Sequence, residues 1–302
     1  MNPYVAAALL TVLAATLVGP ASTALAQAQW VVRAPRAAVA LWQALGVSAL
    51  VSGIGAGTCV AVERFHRGLI GGVARLADGV LQGHPLAGMG LPDALGLTLA
   101  TDLVVVLVCM LTCVTVRTAA RRARHRHLVD LLSLRTHDTG ASVLDHPVAV
   151  AYCVPGIRPR IVISAGTVAL LDKMELAAVV AHERGHANER HGLVMLPLVG
   201  IRNVFGWIPY AGLAPTSVAG LLEMAADDFS TRLYDRNTLA SALVSMATAG
   251  AAPSCTFAAN GGSVAGRVER LLNGHRSRCV ALGAAAGCLG VLALPLAVLF
   301  VT

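Results

Sequence analysis

Charge is missing from long stretches of this chain, and that absence constrains the fold more than any residue present. No Asp, Glu, Lys or Arg occurs from Met1 to Val32, from Ala37 to Val62, or from Cys279 to Thr302. Each block exceeds the roughly 20 residues that a helix needs to span a bilayer. A fourth block, Ala94 to Val116, is interrupted only by Asp102. The pattern predicts four transmembrane helices, at about residues 4–26, 38–62, 94–116 and 279–302. It divides the chain into a membrane region over 1–116, one aqueous domain over 117–278 and a last span over 279–302. Only 13% of residues are charged, against about a quarter in a soluble domain, and most of them lie in that one domain.

Topology follows from where the cations fall, because Lys and Arg accumulate on the cytoplasmic side of short loops. Arg117, Arg121, Arg122, Arg124 and Arg126 follow the third span, and Arg270, Arg276 and Arg278 precede the fourth. Both borders of the central domain therefore read as cytoplasmic. The first block ends in Ala24-Leu25-Ala26, which resembles a signal-peptidase site, but Met1-Asn2-Pro3-Tyr4 lacks a basic n-region. An uncleaved first span with its N-terminus outside is expected, with Arg33 and Arg36 inside and a Gly-rich loop, Glu63 to Gly90, outside. The net charge of +7 then reflects attraction to anionic headgroups, and no direct nucleic-acid binding is expected. The partners implied are the lipid bilayer and, through Gly53-x-x-x-Gly57 and Gly283-x-x-x-Gly287, close helix packing within the bundle or in a homodimer. Asp102 is costly to ionise in a span; it is expected to pair, to serve signalling, or to face a neighbouring helix or water. Cys153 and Cys255 have no neighbour at metal or redox spacing, as in a reduced cytosolic domain.

Within the central domain, 149–153 and 160–164 are β-prone runs around Pro155-Gly156, which predicts a β-hairpin. Asp172 and Glu175 have capping-box spacing at the start of a helix reaching His191. The stretch 192–215 is apolar but holds Arg202, Asn203, Pro197 and Pro209, so it reads as a buried or interfacial helix and turn, not a fifth span. A helix over about 217–234 follows.

The helix after Asp172 carries His182-Glu183-Arg184-Gly185-His186. Histidines at i and i+4 share a face and can reach one zinc ion, with Glu183 beside them to poise a water. On the later helix, Glu223 and Asp227 also stand at i and i+4. Glu223 would complete a two-His, one-Glu site, and Asp227 would orient a ligand imidazole; an acidic surface patch, with Asp228 alongside, is the alternative. A solvated face is the bland reading of the histidines. Beyond zinc, His191, Arg232 and Tyr234 are candidate oxyanion donors, His191 equally a surface residue.

On these motifs, with the Glu175-to-Glu183 run and Arg267-Val268-Glu269-Arg270-Leu271 before the last span, the chain resembles gluzincin membrane metallopeptidases, both the HtpX-type proteases and, more closely, the BlaR/MecR sensor-transducers. The resemblance implies a mainly α membrane protein with a cytoplasmic α+β peptidase domain. It implies one Zn2+ per chain on His182, His186 and Glu223, Glu183 as general base, and a strand at 160–164 that pairs with extended substrate. The protein substrate would be a winged-helix repressor, or misfolded membrane proteins for an HtpX-like protease; a catalytically silent scaffold is the rival class. The antibiotic-sensing members carry a penicillin-binding domain after the last span, whereas this chain stops at Thr302, so a signal would enter through the Glu63 to Gly90 loop, the spans or a partner.

Overall fold

The computed structural model of the chain describes residues 1–84, 88–156, 159–250, 263–274 and 277–301; Cys255 and Arg276 lie outside them. Four helical stretches are long and apolar enough to cross a membrane, Pro3–Gln27, Pro35–Phe65, Leu91–Val129 and Cys279–Phe300, and the mainly helical fold agrees with expectation. The first stretch comprises α1 (Pro3–Thr16) and α2 (Ser22–Gln27), joined by a π-helical turn over Leu17–Ala21 that contains Pro20. Proline removes one donor from the ladder, and the Ser22 and Thr23 hydroxyls donate to the carbonyls of Val18, Gly19 and Pro20 around it.

The second span is α3 (Pro35–Val62). The segment after it, expected as a loop, contains α4 (Gly68–Leu81). Gly72 of α4 lies so close to Val62 that a Cβ there would meet it at 2.5 Å, while Ile70, Val73, Val80 and Leu81 stay exposed. The third span is the front of α5 (Leu91–Leu132), whose Arg-rich end continues unbroken beyond the apolar block, as its sequence suggests. Asp102 sits exposed on this helix.

After α5 come β1 (Ser133–Thr136), β2 (Ser142–Leu144), β3 (Ala151–Val154) and β4 (Arg160–Ser164). They form one sheet in the order β1-β2-β4-β3. The expected hairpin is β3–β4, paired antiparallel from Ala151↔Ile163 to Val154↔Arg160. On its other side β4 pairs with β2 in parallel. This corrects the expectation for 160–164: with neighbours on both sides, β4 has no free edge for a substrate.

Then come α6 (Ala165–Leu170), α7 (Lys173–Asn188), α8 (His191–Phe205), α9 (Pro209–Ser230), α10 (Arg236–Thr248), α11 (Val264–Asn273) and α12 (Arg278–Phe300). The capping box at the start of α7 is present: Met174 and Glu175 N–H donate to Asp172 Oδ1, and Asp172 N–H donates to Glu175 Oε2. One face of α7, with Leu176, Val179 and Val180, packs on Val143 and Ile163 of the sheet.

At the centre of the bundle, α3 packs against α1, α5 and α12. A Cβ on Gly57 or Gly96 would come within 2.6 Å of the other's carbonyl oxygen, so these glycines let α3 and α5 touch backbone to backbone. Gly53-x-x-x-Gly57 thus serves packing within the chain, whereas Gly283 and Gly287 face open space. Neither α8 nor α9 stands apart from the spans. Tyr210 at the start of α9 donates to Trp42 O of α3 over Gly46, Gln43 donates to Val194 O of α8, and Gly200 of α8 abuts Met110 of α5. Trp42, Leu45, Leu198, Val218, Leu221 and Leu222 share one buried core. The helices that bracket the candidate site are thus packed against the candidate spans through one shared core.

Candidate metal centre

Helix α7 supplies His182, Glu183 and His186; α9 supplies Glu223 and Asp227. They meet because the helix contact is lined with small residues. Gly185 faces α9, where a Cβ would sit 3.0 Å from Phe229 Cβ and 3.2 Å from Ala226 Cα. Ser230 Oγ donates to Ala178 O at 2.7 Å and fixes the same contact further along.

This approach brings three donor groups to one point. His182 Nε2 and His186 Nε2 are 3.1 Å apart. Glu223 Oε2 lies 3.4 Å from His182 Nε2 and Oε1 lies 3.4 Å from His186 Nε2. Ligands about 2.0–2.1 Å from a zinc ion at tetrahedral angles stand about 3.4 Å apart, so the donor set and its spacing fit zinc with a fourth position left over. All three are the donors that zinc takes, and they form the cluster that could hold a metal ion among the described residues.

Each donor has a backing group. His182 Nδ1 lies 3.0 Å from Asp227 Oδ1, off the N–H axis. Asp227 is fully buried and held by Arg267 of α11, with Nε to Oδ2 at 2.9 Å and Nη2 to Oδ1 at 2.6 Å. The same guanidinium places Nη1 3.1 Å from Glu223 Oε2. Burial alone would raise the Asp227 and Glu223 carboxyls, but Arg267 and His182 hold both below the usual range. The acidic-patch reading of this helix therefore gives way: Asp228 too is buried, paired with Arg270 at 2.9 Å and with Arg36 at 3.5 Å.

His186 is backed differently. Arg190 takes a left-handed conformation, φ 52°, between α7 and α8, and the chain turns so that His191 Nδ1 comes 2.8 Å from His186 Nδ1. His191 is buried, so it is not a surface residue, and its Nδ1 is turned to His186. Its Nε2 lies 3.3 Å from Glu189 Oε2. Burial and the neighbouring His182 charge push His186 down, whereas on His182 burial is outweighed by the Asp227 and Glu223 carboxylates, which raise it.

Glu183 is buried on the sheet side of the site, where burial pushes its carboxyl up to about 7 and the Cys153 N–H donates to it. Ser164 N–H donates to Val150 O, and ladder bonds alternate along an antiparallel pair, so Ala151 and Cys153 turn their backbone groups away from β4. Among the described residues β3 pairs with β4 alone, which makes β3, not β4, the open edge beside Glu183. The other oxyanion candidates are not brought in: Arg232 stacks over Phe229 and Tyr234 packs with Ala178 and Leu239. Arg184 is exposed and donates to Thr139 O in the β1–β2 turn.

Arg36 and Glu189 carry no local signature that marks them in sequence, and the Arg267-to-Leu271 run enters only through the resemblance, with no role for Arg267 at the site. Arg267 and Arg270, at i and i+3 of a short helix, share a face, the nearest thing to a signal. The family model of peptidase family M48 matches residues 116–275. No curated protein and no solved structure gives a match.

Proposed function

The chain belongs to peptidase family M48, a family of zinc-dependent metallopeptidases, and from that premise we propose a membrane endopeptidase in which His182, His186 and Glu223 hold one zinc ion and Glu183 is the general base. The observation that carries this reading is the convergence of three donors at 3.1–3.4 Å beside the buried Glu183. Bound there, zinc supplies Lewis acidity to a peptide carbonyl and lowers the pKa of an attacking water. Glu183 takes the proton of that water and delivers it to the leaving amine. The Cys153 N–H fixes the orientation of Glu183. An extended substrate adds as a strand to the open edge of β3, meeting the outward N–H and C=O of Ala151. Asp227 and His191 orient the two imidazoles.

The biological reading is a signal transducer that cleaves a transcriptional repressor of winged-helix type, with the N-terminus outside and the catalytic domain cytoplasmic. The arginines at both borders of the domain support the orientation, and the likeness to sensor-transducers supports the substrate. A second reading, an HtpX-like protease acting on membrane proteins, is favoured by the packing of α8 and α9 against the candidate spans. The substitution Glu183→Gln separates them. It should abolish peptide hydrolysis while zinc stays bound; hydrolysis that persists rules out Glu183 as the base, whereas a wild-type chain that hydrolyses no peptide leaves the scaffold class. In cells carrying Glu183→Gln, an accumulated repressor selects the first reading, and accumulated membrane proteins the second.

A further inference from the structure

We propose that Arg36, at the foot of the second span, is a positioning residue of the metal centre and acts on His186 through Glu189 and His191. The inference rests on the zinc-peptidase reading above and adds to it a route by which a membrane helix reaches a ligand.

The contacts run without a gap. Arg36 Nε and Nη2 grip both oxygens of Glu189 at 2.5–3.1 Å. Glu189 Oε2 meets His191 Nε2 at 3.3 Å, and His191 Nδ1 meets His186 Nδ1 at 2.8 Å. One proton arrangement satisfies every pair. Zinc requires a bare Nε2 on His186, so its proton is on Nδ1 and is donated to His191 Nδ1. The proton of His191 then sits on Nε2, aimed at Glu189, whose charge Arg36 balances. The opposite tautomer of His191 would set two N–H groups face to face at 2.8 Å. Arg36 therefore fixes not only the place of His186 but which of its nitrogens is free for metal.

Arg36 also touches the helix that carries Glu223. Its Nη2 donates to Ala225 O at 2.8 Å, and Nη1 lies 3.5 Å from Asp228. It follows Pro35 in the first turn of α3, so a shift of this span against α7 or α9 is felt at the ligands from both helices.

The test uses the full-length chain in detergent or nanodiscs, with zinc retention measured against a competing chelator and the visible spectrum recorded after loading with cobalt. Arg36→Gln should weaken zinc about tenfold, the lower end for groups that support a ligand, and should shift the cobalt bands. Glu189→Gln, which leaves Arg36 in place, should shift them alike, and Arg36→Glu with Glu189→Arg, which sets a donor-only guanidinium against the His191 Nε2–H, should not restore the loss. Wild-type affinity and spectrum in folded Arg36→Gln overturn the proposal. If that variant does not fold, a wild-type cobalt spectrum in Glu189→Gln overturns it equally. A wild-type chain that takes up neither metal overturns the zinc reading itself, a different result from a metal site that ignores Arg36.

Discussion

The two histidines of the centre look alike in sequence but are held by unlike surroundings. His182 leans on a fully buried carboxylate that a buried arginine grips with two hydrogen bonds, all within α7, α9 and α11. His186 leans on another imidazole, and its support passes through Glu189 to Arg36, a half-exposed side chain on a span. The first flank is dry and charged, and its ion pair cannot be broken without stranding a charge in the interior. The second is neutral next to His186, closer to water, and ends on a long apolar helix outside the peptidase domain. The difference teaches that the two halves of the site are held by different parts of the chain: one by helices of the domain alone, the other through α3.

The largest expected effect is on the charged flank. Asp227→Ala removes the partner of a buried guanidinium, and breaking a buried pair from one side costs about 3–5 kcal/mol. Glu223 Oε2 at 3.1 Å still offers Arg267 a partner, which keeps the loss near the lower end. Denaturant unfolding of the detergent-solubilised chain should show this loss even without zinc. Stability unchanged by Asp227→Ala would erase the contrast between the flanks.

The neutral flank should respond in metal binding more than in folding. His191→Leu keeps the volume and leaves Glu189 on Arg36, so unfolding without zinc should change little. Zinc affinity should fall about 10- to 100-fold, read by chelator competition. A variant that loses folding stability as Asp227→Ala does, with zinc affinity intact, would show His191 to be core, not support.

What the sequence made legible follows from what is local. The spans declare themselves because a missing charge is visible at every residue, and His182, His186, Glu223 and Asp227 because each pair is spaced at i and i+4 on one helix. Asp172 and Glu175 were readable as a cap for the same reason. His191 was not, because the left-handed Arg190 breaks the helical periodicity that places side chains on a face. Arg36 and Glu189 are 153 residues apart, beyond any local pattern. Asp228 resembles a surface charge until the folded chain brings Arg270 and Arg36 to it. Strand propensity identified β4 but could not show that β2 lies along its second edge, so the open edge was assigned to the wrong strand of a correctly read hairpin.

The smallest expected effect lies inside the motif itself. Arg184 follows Glu183 directly, yet the helix turns it away from the metal donors, and its side chain is exposed with a hydrogen bond to Thr139 O. Neither flank passes through it. Arg184→Ala should change stability by no more than about 0.5 kcal/mol, as for surface substitutions, and should leave zinc affinity and hydrolysis within about twofold of wild type, measured beside His191→Leu. A tenfold loss of zinc would mean that the β1–β2 turn, which Arg184 ties to α7, is a third support. The division into a charged flank and a neutral one would then be incomplete. The expected result instead separates closeness in sequence from membership in the network: Arg184 is next to Glu183 in sequence yet makes no contact with the donor cluster, while Arg36, far off in the chain, is hydrogen-bonded into the network behind His186.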